Sequence, residues 1–400
     1  MTAYSPIEAH SNADARPGED PFRLYKRVGT AMAVGIAMML AGEFVWNMLA
    51  PSDRDFVSFW GAARMALSGA PASAYDGAAL HALQARFVTF GSGEMPFPYP
   101  PAFMLFVLPF ALLPFAPAMA AWSVATFVPY FLVARRMFPQ AGWLAAAFPP
   151  VFVNAAIGQN AFLTAAAFGG GMLLLNKRPF AAGLLLGCLV LKPQLALLIP
   201  VALLAARAWR AIAGAALSSC ATLLLGLVVF GPETTSAWVS QMPLYASIAR
   251  DGLVGWSKLG SAYAALRELG VGETPAFLIH AIIALIAAIA VWRVWRSDAD
   301  HLGKTAVLAS ATMLASPYLF QYDALILVFP LLALASTRVS PAWIVALWCL
   351  PIVTVLQVYS DWGIVNLNPV LALALLWLSW RTFGTSAGTR ETRDLAPALS

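Results

Sequence analysis

Two aspartates, Asp53 and Asp55, stand two residues apart just after a long apolar run, and each carboxylate could take a proton from a hydroxyl group. Either could instead cap the helix that the following residues promise, because Asp is favoured at that position. Far along the chain, Lys192 interrupts an apolar stretch reaching from 179 to 206. A cation there is costly and marks an anion site, such as a phosphate, unless its long stem carries the charge out to the interface. Gln159 and Asn160 follow Gly158 between two more apolar runs. Amides in that setting either hydrogen-bond a polar ligand or tie helices together. Tyr99 sits in Phe97-Pro-Tyr-Pro-Pro101, a rigid extended segment, as a ligand-side phenol or as an interfacial anchor. Gln321-Tyr322-Asp323 puts another carboxylate ahead of an apolar run, as a site residue or a helix cap, and Glu43 lies within the first run. Gly183-Leu-Leu-Leu-Gly187 is a close-packing pattern.

The elements that must carry these residues are set by composition. The 400 residues are 60% hydrophobic and 11% charged, far from the ~25% charged residues of a soluble domain. Apolar runs approaching ~20 residues recur throughout, the length of a membrane-crossing helix. An isolated segment in lipid satisfies its backbone only as a helix, and the short alternating strands of a barrel are absent. The expected class is an all-α polytopic integral membrane protein. The net charge of +5 reflects basic clusters between apolar runs rather than a nucleic-acid partner. Cys188, Cys220 and Cys349 lie in apolar runs without paired or ligand spacing. No Walker loop, zinc motif, nucleophile elbow or dinucleotide fingerprint occurs, so neither a metal nor a cofactor is expected.

Placing the basic clusters in the cytoplasm leaves only Arg54, Arg64, Arg86, Lys192, Arg250, Lys258 and Arg267 outside, with both termini inside. The expected organisation is a cytoplasmic tail 1–28, one transmembrane domain 29–383 and a disordered cytoplasmic tail 384–400. About twelve spans are expected, near 29–49, 118–134, 142–157, 161–176, 179–191, 195–206, 211–230, 276–292, 304–317, 323–337, 342–358 and 369–380. The proline-rich stretch 101–116 is expected to dip rather than cross. External loops are expected at 50–117 and 231–275, the first with amphipathic interfacial helices from Asp55 and from Asp76. The hairpins turning at Gln159-Asn160 and at Lys192 are short. A helix of ~13 residues covers ~20 Å of a ~30 Å hydrocarbon core, so both apices should lie within an outward cavity.

Asp55-Phe-x-x-Phe-Trp60, Gly69-x-Pro71, Ala74-Tyr75-Asp76, Tyr99-Pro-Pro101, Gly158-Gln-Asn160, Lys192-Pro193 and Ser316-Pro317 occur in this order. Together they resemble glycosyltransferase family 87, membrane glycosyltransferases of the GT-C type, over residues 50 to 335. The resemblance implies a GT-C-like bundle in a bacterial plasma membrane with its active site facing outward. It also implies transfer of a mannose-like hexose from a polyprenyl-phosphate carrier to an envelope lipid or polysaccharide acceptor, with inversion. Asp55 matches the family's catalytic base. The family carries a His pair after Ser-Pro where Tyr322 and Asp323 stand here. Lys192, Gln159, Asn160, Tyr99, Gln321, Tyr322 and Asp323 are the candidate donor and substrate contacts. A flippase for a polyprenyl-linked lipid would use the same cavity and Lys192 without a base at Asp55, but no inverted repeat suggests one. A non-catalytic subunit of an envelope complex is a third reading, and sugar transfer by purified protein separates the first from both.

Overall fold

The structure is a computed structural model that describes residues 23–91, 95–359 and 366–384. Of the tails expected at 1–28 and 384–400, residues 1–22 and 385–400 lie outside the described residues, while 23–28 are already helical as the start of α1. Every described element is a helix, and among the described residues the strand-like pairings are two isolated bridges, Ser52 with Thr89 and Leu259 with Phe320. The α-helices are α1 Arg23–Leu49, α2 Phe56–Leu67, α3 Gly77–Gln84, α4 Ala102–Ala111, α5 Phe115–Met137 and α6 Pro150–Ile157. Next come α7 Ala161–Leu174, α8 Pro179–Gly187, α9 Ile199–Ala205, α10 Trp209–Arg250, α11 Ala262–Glu268 and α12 Glu273–Arg296. The last are α13 His301–Ala315, α14 Val328–Ala335, α15 Pro341–Cys349, α16 Ile352–Tyr359 and α17 Asn368–Phe383.

Each expected span contains helix, several with turns inside them, but only four described helices are long and apolar enough to cross a membrane: α1, α5, Trp209–Ser247 of α10, and α12. The others are shorter, the longest being α17 with 16 residues. Prolines and 3-10 turns divide several of them. Pro149 and Pro150 separate the 3-10 turn Gly142–Ala147 from α6, and Cys188–Leu191 and Pro193–Leu195 are 3-10 turns on either side of Lys192. The ten-residue α4 ends before Pro114. At 1.5 Å per residue it covers ~15 Å, half the hydrocarbon thickness.

Close approach of backbones holds the short pieces. A Cβ on Gly183 would collide with the Ala211 carbonyl, one on Gly187 with the Ala215 carbonyl, and one on Gly214 with the Phe180 carbonyl. The Gly183/Gly187 pair therefore does what its spacing promised, seating α8 against α10. Around it, α5 packs on α7, and α13 lies between α12 and α17.

Two expectations about the external segments need correction. The helix after Asp55 does not present one apolar face to headgroups. Phe56, Val57, Phe59, Trp60, Ala62 and Ala63 are all fully buried, and a helix apolar on every side belongs in a protein core. Its partners are aromatic: Phe59 meets Tyr99 and Phe103 at 5.2 and 5.0 Å, and Phe56 stacks on Trp122 at 6.1 Å. The second helix is α3, capped by the Asp76 carboxylate on the Ala79 N–H at 3.1 Å, with Leu80 buried and Phe87 left exposed. The segment expected as a loop from 231 is helical as far as Arg250, because α10 kinks at Gly231 (φ 82°) and restarts at Pro232. Only glycine takes that φ without strain, and proline suits a first helical position.

Candidate active site

Asp55 sits at the N-terminus of α2 but does not cap it. Its backbone is already helical (φ −51°, ψ −30°), and no side-chain cap bond forms. Asp53 is not the cap either, since its Oδ2 accepts the Gly91 N–H at 3.1 Å. The Asp55 carboxylate instead reaches across 104 residues of sequence, its Oδ2 accepting a hydrogen bond from Gln159 Nε2 at 2.9 Å. Oδ1 has no partner among the described residues.

The turn that delivers Gln159 is tightly built. Gly158 closes α6 in the left-handed region (φ 70°), and a Cβ there would strike Phe56 and Met119. Only glycine brings this turn so close to α2. Asn154 then locks it, its carbonyl accepting the Gln159 N–H at 2.9 Å and its Oδ1 accepting the Ala161 N–H at 2.8 Å. Trp122 Nε1 donates to the Gln159 carbonyl at 3.4 Å.

Lys192 is 2% exposed and non-helical (φ −141°, ψ 71°) between its two 3-10 turns. Its Nζ donates to Asp323 Oδ1 at 2.6 Å and to Asn160 Oδ1 at 3.4 Å, and lies 4.5 Å from the Tyr322 ring centroid. Tyr322 stacks on Phe320 at 5.4 Å. Asp323 does two jobs at once, because its Oδ2 also accepts the Phe320 N–H at 3.0 Å at the head of the 3-10 helix Gln321–Leu327. A continuous polar chain therefore runs Asp55, Gln159, Asn160, Lys192, Asp323, linking the apices of both short hairpins to the segment after Ser316-Pro317. Tyr99 joins from the opposite side, its hydroxyl 3.5 Å from Gln159 Oε1. Gln321 is buried beside Tyr322, with its carbonyl held by Asn368 Nδ2 at 3.1 Å and its Oε1 without a partner among the described residues.

Burial holds the Asp55 carboxyl above the ordinary carboxylate range. The Gln159 hydrogen bond opposes that shift first, followed by the positive charges of Lys258, Lys192 and Arg54. Arg54 is itself paired with Glu43 at 2.8 Å, which places Glu43 at the rim rather than in the polar chain. Among the described residues no group of three or more His, Cys, Asp or Glu is placed to hold a metal.

The sequence profile of glycosyltransferase family 87 matches residues 97–317, more than half of the chain. The chain belongs to glycosyltransferase family 87. No curated protein and no solved structure matches it. Family 87 membership makes the chain a glycosyltransferase, which removes the ground for reading it as a lipid flippase or an inert subunit. The match contains Tyr99, Gln159, Asn160 and Lys192, while Asp55 and Gln321–Asp323 fall outside it. Direct bonds to Gln159 and Lys192 tie Asp55 and Asp323 to the matched region.

One part of this candidate site was not singled out from the sequence. The segment from Met95 to Tyr99 cannot pair as a strand, because Pro96, Pro98 and Pro100 lack N–H groups. Its five successive carbonyls each receive a side-chain donor. Gln84 donates to Met95 at 3.0 Å, Ser58 to Pro96 at 2.6 Å, Tyr245 to Phe97 at 3.0 Å, Trp238 to Pro98 at 3.3 Å and Tyr75 to Tyr99 at 2.8 Å. The proline spacing was the one available signal, since a run of acceptors without donors must be met from elsewhere. The second half of α10 supplies two of the five, so its helical course is what holds Tyr99 in place.

Proposed function

We propose that this glycosyltransferase moves a mannose-like hexose from a polyprenyl-phosphate carrier to an envelope lipid or polysaccharide acceptor, at the outer face of a bacterial plasma membrane. Asp55 is the general base. The acceptor hydroxyl gives its proton to Asp55 as its oxygen bonds to the anomeric carbon. The bond from that carbon to the phosphate oxygen breaks with its electron pair, releasing lipid phosphate and inverting the centre. The observation that carries this reading is the divided carboxylate of Asp55, with Oδ2 fixed by Gln159 and Oδ1 unengaged among the described residues. A base needs one oxygen held for aim and one within reach of the proton. Its raised proton affinity suits that work near neutral pH.

Lys192 contributes its positive charge to the departing phosphate from beneath the site, where fixed charges act strongly. Tyr99, Gln159, Asn160, Gln321, Tyr322 and Asp323 are the proposed sugar contacts, and Gln321 Oε1, without a partner among the described residues, is an acceptor for a sugar hydroxyl. The test is transfer by purified protein from a polyprenyl-phosphate mannose to lipid extracts of the envelope. Anomeric configuration in the product should be opposite to that of the donor. No transfer from any lipid-phosphate hexose, with the protein folded, would overturn the reading.

A further inference from the structure

Three cations act on Asp55, and two of them already have carboxylate partners. Arg54 is bonded to Glu43 at 2.8 Å, and Lys192 to Asp323 at 2.6 Å. The third, Lys258, has no ion-pair partner among the described residues and is exposed. A phosphate entering the site brings a negative charge close to Asp55 and Asp323. Lys192 answers Asp323 one for one, so a further positive charge is required if the carrier is to bind without forcing a carboxylate to take a proton.

The chain around Lys258 is anchored despite lying in a loop. It ends the 3-10 turn Trp256–Lys258, and the next residue, Leu259, is fully buried and bridges to Phe320. The Gly260 N–H donates to the Leu319 carbonyl at 2.7 Å, and Ser261 Oγ to the Pro317 carbonyl at 2.7 Å. On the other side, the Ser257 carbonyl accepts from Asn366 Nδ2 at 3.0 Å. The backbone on both sides of Lys258 is thereby fixed to the segment that carries Tyr322 and Asp323 and to the start of α17. The effect on Asp55 agrees with this placement, since the charge of Lys258 counts for more there than that of Lys192.

We propose that Lys258 is a second residue that meets the donor phosphate, beside Lys192 whose charge is shared with Asp323: it is a cation without an ion-pair partner among the described residues, its backbone pinned beside the Tyr322–Asp323 segment by the Leu259–Phe320 bridge. This rests on the lipid-phosphate-sugar reading above. During transfer, negative charge builds on the phosphate oxygen leaving the anomeric carbon, and an ammonium beside it stabilises that oxygen. Before transfer, the same ammonium keeps Asp55 more readily ionised. Both effects need a positive charge at this place and neither needs a particular side-chain shape, so arginine should substitute.

The experiment compares wild type, Lys258→Met and Lys258→Arg in nanodiscs with three probes: a short-chain prenyl-phosphate mannose, the matching prenyl mannoside without phosphate, and phosphatidylglycerol. Expected for Lys258→Met is an affinity for the phosphate-bearing donor about tenfold weaker, in line with loss of a hydrogen bond to a charged group. Affinity for the phosphate-free mannoside should be unchanged, and Lys258→Arg should bind the donor as wild type does. The acid limb of the transfer rate should also move to higher pH in Lys258→Met, because Asp55 loses a charge that favours its ionised form. Equal donor affinity in wild type and Lys258→Met, or equal weakening toward both prenyl probes, overturns the inference and leaves the proposed reaction standing. Loss toward phosphatidylglycerol as large as toward the donor makes Lys258 a membrane-surface contact and likewise overturns it. Wild-type protein that neither binds nor transfers the phosphate donor overturns the reaction itself, and this inference with it.

Discussion

Replacing Lys192 by methionine should unfold the site before it reports on phosphate, and the size of that effect follows from its burial. The Lys192 and Asp323 side chains are 2% and 0% exposed and meet at 2.6 Å. Lys192→Met leaves the Asp323 carboxylate with only the Phe320 N–H, an uncompensated charge in the core. Breaking a buried pair from one side costs about 3–5 kcal/mol, whereas replacing both partners with apolar groups of similar volume is often neutral. Asp323→Leu alone should cost about as much, because it strands the ammonium, with Asn160 Oδ1 and the Tyr322 ring as its remaining contacts. The double variant Lys192→Met/Asp323→Leu should recover most of the loss, giving a coupling energy of several kcal/mol. The assay is a denaturation series in mixed micelles on all four proteins, followed by tryptophan fluorescence. Additive losses, or a Lys192→Met protein as stable as wild type, would refute the reasoning by showing that the pair does not carry opposite charges. The double variant also frees the donor question from folding. If it transfers sugar with an unchanged donor KM, Lys192 contributes nothing to the phosphate and serves only to hold Asn160 and Asp323.

Three further outcomes are expected. Asp55→Asn should lower turnover by at least ~10², the usual contribution of a general base, with donor binding nearly intact, while Asp53→Asn should cost roughly 1 kcal/mol of local stability through its bond to the Gly91 N–H; a dead Asp53→Asn with an active Asp55→Asn would reverse the assignment. Since burial raises the proton affinity of Asp55 and the base must be ionised, transfer should rise with pH through a midpoint above the ordinary carboxylate value, and an acid limb near pH 4 in a pH–rate profile would contradict this. With the three native cysteines replaced, Ala85→Cys and Arg135→Cys should label from opposite sides of the membrane; labelling of both from outside would mean that residues 101–116 cross.

The individual members of the site were legible because a charge or an amide stands out in an apolar run. Asp55, Gln159, Asn160, Lys192 and Asp323 could be picked out one by one. What joins them was not, for Asp55 and Gln159 are separated by 104 residues and Lys192 and Asp323 by 131. No local pattern encodes a contact of that range. Helix type was readable from hydropathy, yet α2 was expected at the interface because Phe56, Phe59, Trp60, Ala63 and Leu67 share one helical face. Val57 and Ala62 lie off that face and extend the apolar surface around the helix, which suits a core position. The second half of α10 was lost to its polar composition, although Gly231-Pro232 followed by Glu233 is the signature of a helix restarting after a kink.

Gly158 shows how much of the site depends on one such local feature. Its φ of 70° is open to alanine only at a cost of about 1–2 kcal/mol. The added methyl would also press into Phe56 and Met119, an overpacking cost of about 1–3 kcal/mol. The turn can relieve that pressure only by moving away from α2, and Gln159 is the next residue, so the relief is taken from the bond that aims Asp55. Gly158→Ala should therefore lose turnover more than donor affinity, because the phosphate contacts lie on other segments while the aim of the base is spoiled. Kinetic constants measured across pH would show it, with Asp55 deprived of the Gln159 hydrogen bond and its acid limb displaced to higher pH. Wild-type turnover in Gly158→Ala, with an undisplaced acid limb, would mean that the Gln159 contact does not position the base.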